Sequence, residues 1–297
     1  MQSVPQEKNP REHSNTTVFQ SKSDGMVIQM QLEDYLAREG VTLHYWTGGK
    51  AGAPLVVFTH GATIDHHEWD NTLPLVGEHF QVLTWDVRGH GLSRPAPFDL
   101  QQAVDDLLAI LDRLETSQAI FVGHSMGGNL HQELVFHHPE RVRAMVFLDC
   151  TWNFQKLSPL EALTLRMAGP IFKIYPHKML VDQSLAMTAT SKDSQELLRS
   201  SMGSLSKAEF VQIMMATTTC LHYEPDYKIN MPLLLMVGDQ DATGNIRKIM
   251  PIWAEHEPDC RFVAIPNAKH AANLDNPDFF HATLMEFLTY QKEAVSS

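Results

Sequence analysis

Four short apolar runs constrain the fold of this chain more than any other feature of the sequence. In chain order they are AIFVG at 119–123, AMVFLD at 144–149, PLLLMVG at 232–238 and RFVAIP at 261–266. Runs that are apolar on both faces are typical of a parallel sheet that helices cover on both sides. Further strand-like runs lie at 41–46, 54–61 and 81–86, and an apolar stripe predicts a helix over 98–114. This alternation predicts an α/β fold with a doubly wound, mostly parallel sheet.

The alternation stops between residues 151 and 228, where no strand-like run occurs. Two helix starts lie in this stretch, SPLE at 158–161 and SKAE at 206–209, and each has the Ser-x-x-Glu pattern of a capping box. A connection of this length far exceeds the usual ~4–6 residues. We therefore expect a helical cap over 151–228, inserted into a core formed by 26–150 and 229–297. The polar residues 1–25 are expected to form a flexible leader.

Charge and composition exclude several classes of partner. The chain carries 23 basic and 35 acidic residues, for a net charge of −12, which disfavours nucleic acid and anionic lipid as partners. No run approaches the ~18 apolar residues of a membrane span, and the first 25 residues lack the apolar segment of a secretory signal. Three cysteines with no zinc or CxxC spacing indicate a reducing compartment. We expect a cytoplasmic protein without a membrane or nucleic-acid partner.

The stretch GHSMGG follows the apolar run AIFV directly. A Gly-x-Ser-x-Gly turn between a strand and a helix is a nucleophile elbow, in which the serine is held in strained backbone geometry at the edge of the sheet. The flanking glycines remove Cβ atoms that would collide with neighbouring backbone. The pattern predicts Ser125 as a nucleophile. It also predicts that the Met126 N–H, at the start of the helix, binds an oxyanion.

A serine nucleophile needs a base and an acid, which follow it along the chain in this architecture. His270 lies in the loop after the run RFVAIP and is the predicted base. Asp239 and Asp241 follow the run PLLLMVG, at the carboxyl edge of the sheet where such sites form. We favour Asp241 as the acid because it lies further into its loop. Asp239 and Asp149, which ends an earlier strand, remain alternatives.

The loop THGATIDHHEW, after an early strand, is expected to supply a second oxyanion donor, the Ala62 N–H. Five of its residues could suggest a metal ion: Asp65, His66, His67, Glu68 and Asp70. The binuclear pattern H-x-H-x-D-H would need histidines where Gly61 and Thr63 stand. We therefore expect no metal here and interpret the loop as a solvated, charged rim of the pocket.

Together these motifs resemble the α/β-hydrolase family from about residue 26 to the C terminus. The supporting motifs are HGA at 60–62, DVRGHGLS at 86–93, GHSMGG at 123–128, GDQD at 238–241, and the loop that carries His270. The resemblance implies a Ser125–Asp241–His270 triad, with Ala62 and Met126 as oxyanion donors. The resemblance implies no cofactor, and the sequence shows no motif for a cofactor site besides the triad.

The sequence thus predicts a serine hydrolase that cleaves a small apolar ester or lactone through an acyl-enzyme. Haloalkane dehalogenases and epoxide hydrolases of this fold place Asp at the elbow, so Ser125 excludes their mechanism. C–C bond hydrolases of the meta-cleavage type usually carry Asn where His124 stands. Such a hydrolase is the alternative enzyme, and a non-catalytic ligand-binding protein is the alternative from another class.

Overall fold

The computed structural model describes residues 30–293, whose centre is an eight-stranded sheet. The strands are β1 Met30–Arg38, β2 Val41–Gly49, β3 Leu55–Thr59, β4 Gln81–Trp85, β5 Ala119–His124, β6 Val142–Leu148, β7 Leu233–Gly238 and β8 Cys260–Ile265. Their order is β1-β2-β4-β3-β5-β6-β7-β8. All pairs from β4 to β8 are parallel, whereas β1–β2 and β2–β4 are antiparallel. The predicted α/β fold with a mostly parallel sheet is therefore confirmed.

Three of the four continuous apolar runs form the central strands β5, β6 and β7, whereas RFVAIP forms the edge strand β8, most of which is half-buried or exposed, so burial on both faces was wrongly expected there. Every residue of β3, β5 and β7 is buried, because helices cover both faces. The sequence reasoning missed β1, an antiparallel edge strand paired with β2. Its sequence MQLEDYLAR carries charged residues, and the side chains described from Glu33 onward are half-buried or exposed. A strand at the exposed edge therefore lacks the apolar signal that marks the central strands.

The α-helices of the described residues either cover the two faces of the sheet or form the insertion. They are α1 Leu73–Gly77, α2 Leu100–Arg113, α3 Met126–His137, α4 Pro159–Ile174, α5 His177–Thr188, α6 Lys192–Ser204, α7 Lys207–Ala216, α8 Ile246–His256, α9 Ala272–Asp275 and α10 Pro277–Glu293. The predicted stripe on α2 is buried at Val104, Leu107 and Leu111. That helix begins after Asp99, whose side chain caps it by accepting the Gln102 N–H. Its buried face belongs to an apolar cluster that also includes residues of α3 and α8.

Helices α4 to α7 form the insertion between β6 and β7. Both capping boxes are present, at the start of α4 and at the start of α7. The insertion contacts the core at the carboxyl edge of the sheet, where the Ala271 N–H donates to Thr188 O at 2.7 Å and Ser201 Oγ lies 2.7 Å from Asp65 Oδ2. It therefore lies beside the loops that carry the predicted site residues.

The structure tests two of the predictions only in part, namely the flexible leader and the absence of a membrane span. The leader expected at residues 1–25 lies outside the described residues. Between residues 30 and 293, no helix combines the length and the apolar character that crossing a membrane requires.

Candidate active site

Ser125 lies between the end of β5 and the start of α3, with φ 49° and ψ −114°. Glycine is required on both sides of it. A Cβ on Gly123 would come within 2.6 Å of the Gly127 carbonyl carbon, and one on Gly127 within 2.3 Å of Thr59 O. Because L-residues rarely adopt this positive φ, the surrounding packing holds the serine in a strained turn. Its side chain is left partly exposed at the edge of the sheet.

The loops after β7 and β8 bring Asp241 and His270 to this serine. His270 Nε2 lies 2.9 Å from Ser125 Oγ, and His270 Nδ1 lies 3.0 Å from Asp241 Oδ2. Burial by itself would raise the pKa of the Asp241 carboxyl, but the adjacent His270 and the Thr243 N–H hydrogen bond hold that pKa below its usual value. The structure therefore brings the three predicted residues into one continuous chain of contacts, with an ionised acid at its end.

Asp239, the first alternative acid, is exposed, and its carboxylate accepts the Ala268 N–H at 3.3 Å. It therefore stabilises the histidine loop from outside and makes no contact with the His270 side chain within the described residues.

Asp149, the second alternative, is fully buried and has φ 45°. Its two carboxylate oxygens accept the Gly238 N–H at 2.7 Å and the Ala272 N–H at 3.2 Å. Burial and the neighbouring Asp241 raise the pKa of the Asp149 carboxyl well above its usual value. Asp149 thus joins β6, β7 and the histidine loop, whereas Asp241 is the carboxylate that contacts the imidazole.

The two predicted oxyanion donors come from different elements. Met126 is the first residue of α3, so its N–H has no acceptor within the helix. Ala62 follows Gly61, whose N–H donates to the Glu68 carboxylate at 3.0 Å and so fixes the loop after β3. Between residues 30 and 293 neither the Ala62 nor the Met126 N–H donates to a protein acceptor, which leaves both amides available to a bound oxygen.

The loop after β3 is less solvated than the sequence suggested. His66 and Glu68 are buried, so the expectation of a fully solvated, charged rim is wrong for these two residues. His66 stacks on Trp46, and its ring Nδ1 lies 2.9 Å from Asp86 Oδ1. Side-chain nitrogen and oxygen atoms of Asp65, His66 and His67 lie within 4.8 Å of one another, although Asp86 already binds one of these rings.

His124 is a residue whose role sequence reasoning missed. It occupies a variable position of the elbow pattern, yet its ring is buried beneath the site. Its Nδ1 lies 2.6 Å from Glu68 Oε1, and its Nε2 lies 2.7 Å from the His270 carbonyl oxygen. Glu68 is 56 positions away along the chain, and no local pattern in the sequence marks this contact.

The arrangement suits nucleophilic acyl transfer. A serine hydroxyl in contact with an imidazole can lose its proton to that ring as it attacks a carbonyl carbon. A carboxylate on the other ring nitrogen selects the required tautomer and stabilises the imidazolium that forms. A backbone N–H without a protein acceptor can donate a hydrogen bond to the negative charge that develops on the carbonyl oxygen.

Comparison with known proteins agrees with this geometry. Residues 54–277 match the model of the alpha/beta hydrolase fold family. A 3-oxoadipate enol-lactonase of Acinetobacter baylyi is 34% identical over 116 residues, which cover 38% of this chain and 43% of that protein. The chain therefore matches less than half the length of this curated relative.

Solved structures resemble the chain over more of its length. A hydrolase from Pseudomonas aeruginosa superposes with a TM-score of 0.75 at 25% identity, covering 86% of this chain and 98% of that one. The enol-lactonase from Burkholderia xenovorans superposes with a TM-score of 0.72 at 24% identity, covering 86% of this chain and all of its own. At this lower identity, the likeness to the Burkholderia structure is evidence of a shared fold alone.

Proposed function

The chain belongs to the α/β-hydrolase fold family, and on that basis we propose that it is a serine hydrolase which cleaves a small carboxylic ester or lactone through an acyl-enzyme on Ser125. One observation carries the proposal, the contact chain from Ser125 Oγ to His270 Nε2 and from His270 Nδ1 to Asp241, at 2.9 and 3.0 Å. A ligand-binding protein would have no need to hold a serine in a strained backbone conformation against a histidine–carboxylate pair.

In the proposed reaction, His270 Nε2 takes the Ser125 proton as Oγ attacks the carbonyl carbon. The Ala62 and Met126 amides bind the oxyanion, while Asp241 accepts the Nδ1–H hydrogen bond and stabilises the charged imidazole. His270 then returns the proton to the leaving alkoxide. Water attacks the acyl-enzyme, with His270 again acting as the base.

Two observations support a small, apolar ester or lactone as the substrate. The partial relative from Acinetobacter baylyi is named a 3-oxoadipate enol-lactonase, which supports a small lactone or ester but not its apolar character. In addition, α4 of the insertion carries large apolar side chains that are about half exposed: Leu163, Met167 and Ile171. By contrast, Phe154, Phe210 and Ile213, from the same stretch 151–228, are packed into the core. We propose that the exposed group contributes to an apolar binding surface.

A substrate panel with purified protein tests this proposal. The panel contains p-nitrophenyl butyrate, hexanoate and palmitate, a succinate monoester, γ- and δ-lactones, and a β-diketo acid. We expect the highest kcat/KM for a short apolar ester or a lactone, and no turnover by the Ser125→Ala variant. Preference for the charged succinate monoester would contradict the apolar pocket. Cleavage of the diketo acid without cleavage of any ester would contradict the reaction class.

A further inference from the structure

A buried histidine lies directly beneath the proposed nucleophile. His124 ends β5 and precedes Ser125, and only 1% of its surface is exposed. The two nitrogen atoms of its ring face oxygen atoms from two different loops. Nδ1 lies 2.6 Å from Glu68 Oε1, and Nε2 lies 2.7 Å from the carbonyl oxygen of His270. The His124 and His270 rings themselves have centroids 5.0 Å apart.

The chemistry of these neighbours determines the charge of the His124 ring. A neutral imidazole has one N–H and one lone pair, whereas a carboxylate and a backbone carbonyl are both acceptors. The Nε2–H donates to the His270 carbonyl oxygen at 2.7 Å. The Glu68 carboxylate lies 2.6 Å from Nδ1 as an ion-pair contact without hydrogen-bond angles, and a negative oxygen at this distance favours a proton on that nitrogen as well. Glu68 faces the ring from the loop after β3, and it is itself 3% exposed. Each of two buried opposite charges compensates the other, and removal of either one leaves an uncompensated charge in the interior.

Apart from Glu68, the carboxyl that raises the pKa of His124 belongs to Asp149. Asp149 approaches from the end of β6, and the His270–Asp241 pair lies across the histidine loop. Burial lowers the pKa of His124, but the Glu68 and Asp149 carboxyls outweigh burial and raise that pKa to about 9. The ring is thus an imidazolium at neutral pH.

Glu68 extends these contacts to two further loops. Its Oε2 accepts the N–H of Gly61, the residue before the proposed oxyanion donor Ala62, at 3.0 Å. Its Oε1 lies 3.4 Å from Asn273 Nδ2 in α9, which follows His270. Gly61 also lies so close to the His124 ring that no side chain fits between them, because a Cβ at that position would lie 2.7 Å from His124 Nδ1. One ion pair therefore touches the nucleophile, oxyanion and histidine loops.

We propose that His124 is a positioning residue for the hydrolase reaction: as an imidazolium paired with Glu68, it holds these three loops in the geometry that the reaction needs. The inference rests on the proposed function, since it explains how that site is aligned. The positive ring fixes the His270 backbone through its carbonyl oxygen. The carboxylate fixes the backbone next to Ala62. Loss of either charge lets the base and the oxyanion donor shift relative to Ser125.

Kinetics of His124→Gln, Glu68→Gln and the double variant test the proposal. A misplacement of about 1 Å costs on the order of 10²-fold in rate, so we expect each single variant to lose tenfold to about 100-fold in kcat with little change in KM. The double variant should resemble the single variants, because both remove the same pair. The matched control is His131→Gln, which removes a buried histidine on α3 whose ring contacts the uncharged Thr59 hydroxyl. We expect its kcat to stay near wild type.

The pH profile separates positioning from a general loss of structure. The wild-type kcat should fall on the alkaline side as pH rises through about 9, because His124 then loses its proton. The His124→Gln profile should be flat in this range and should start from the lower rate. An alkaline profile shared by wild type and His124→Gln, or equal losses in His131→Gln, would overturn the proposal.

A spectroscopic measurement on the wild type remains informative even if a variant fails to fold. The ¹⁵N spectrum of histidine-labelled protein at pH 7.5 should show two protonated ring nitrogens for His124 and one for His131, whose pKa burial lowers to about 3. A neutral His124 would overturn the proposal. Labelling of Ser125 by a phosphonate tests the proposed function separately: no labelling of wild type would contradict that function, whereas labelling at equal rates in wild type and His124→Gln would contradict the positioning role.

Discussion

The charge on His124 predicts a pH dependence of folding stability that can be measured without a substrate. In the folded protein the pKa of His124 is raised from 6.5 to about 9. A raised pKa stabilises the fold fully below pH 6.5, where folded and unfolded states both bind the proton. The stabilisation is lost as the pH rises through about 9. A difference of about 2.5 pH units, at about 1.36 kcal/mol per unit, corresponds to about 3 kcal/mol.

Urea unfolding at pH 6.0, 7.5 and 9.5 measures this contribution in wild type and in His124→Gln. Other groups titrate in both proteins and cancel in the difference between their free energies of unfolding, provided that Glu68 keeps its charge. We expect the advantage of the wild type over the variant to shrink by about 3 kcal/mol between pH 6.0 and 9.5. An advantage that stays constant across this range would refute the assignment of a buried imidazolium.

Three further predictions concern the site and the insertion. Asp241→Asn should lower kcat by about 10⁴-fold because the base loses its orienting carboxylate, whereas Asp149→Asn should cost far less; equal losses in steady-state assays would contradict this assignment. Gly127→Ala should destabilise the protein by several kcal/mol in urea unfolding, because its Cβ would lie 2.3 Å from Thr59 O, and unchanged stability would contradict this packing. Ser158→Ala should lower stability by about 1 kcal/mol or less through loss of the α4 N-cap, with kcat unchanged; a large fall in kcat would show that α4 reaches the reacting groups.

The sequence was informative where one local pattern determines one structure. Three of the four apolar runs predicted central strands because burial on both faces favours apolar residues at successive positions. The fourth run, RFVAIP, forms the edge strand β8, so an apolar run alone does not distinguish a central strand from an edge strand. The elbow was recognisable because Gly123 and Gly127 are needed next to Ser125 for steric reasons that hold wherever this turn occurs. The capping boxes at Ser158 and Ser206 are local in the same sense.

Features that depend on distant contacts were not predictable in this way. Glu68 stands in a run of polar residues that is typical of a surface loop, yet in the fold it is buried against His124, Gly61 and Asn273. The choice between Asp241 and Asp149 likewise depends on how two loops lie against His270. Both aspartates end or follow a core strand, and the 3.0 Å contact to His270 Nδ1 distinguishes them.

The central claim is that an acyl-enzyme on Ser125 is an obligatory intermediate of substrate turnover. Intact-protein mass spectrometry of wild type, quenched in acid during hydrolysis of p-nitrophenyl butyrate, measures this intermediate directly. We expect a mass increase of one butyryl group, located on the peptide that contains Ser125, and no such adduct or turnover in Ser125→Ala. Turnover that persists in Ser125→Ala, or a butyryl group on another residue that forms and decays at the rate of catalysis, would contradict the account.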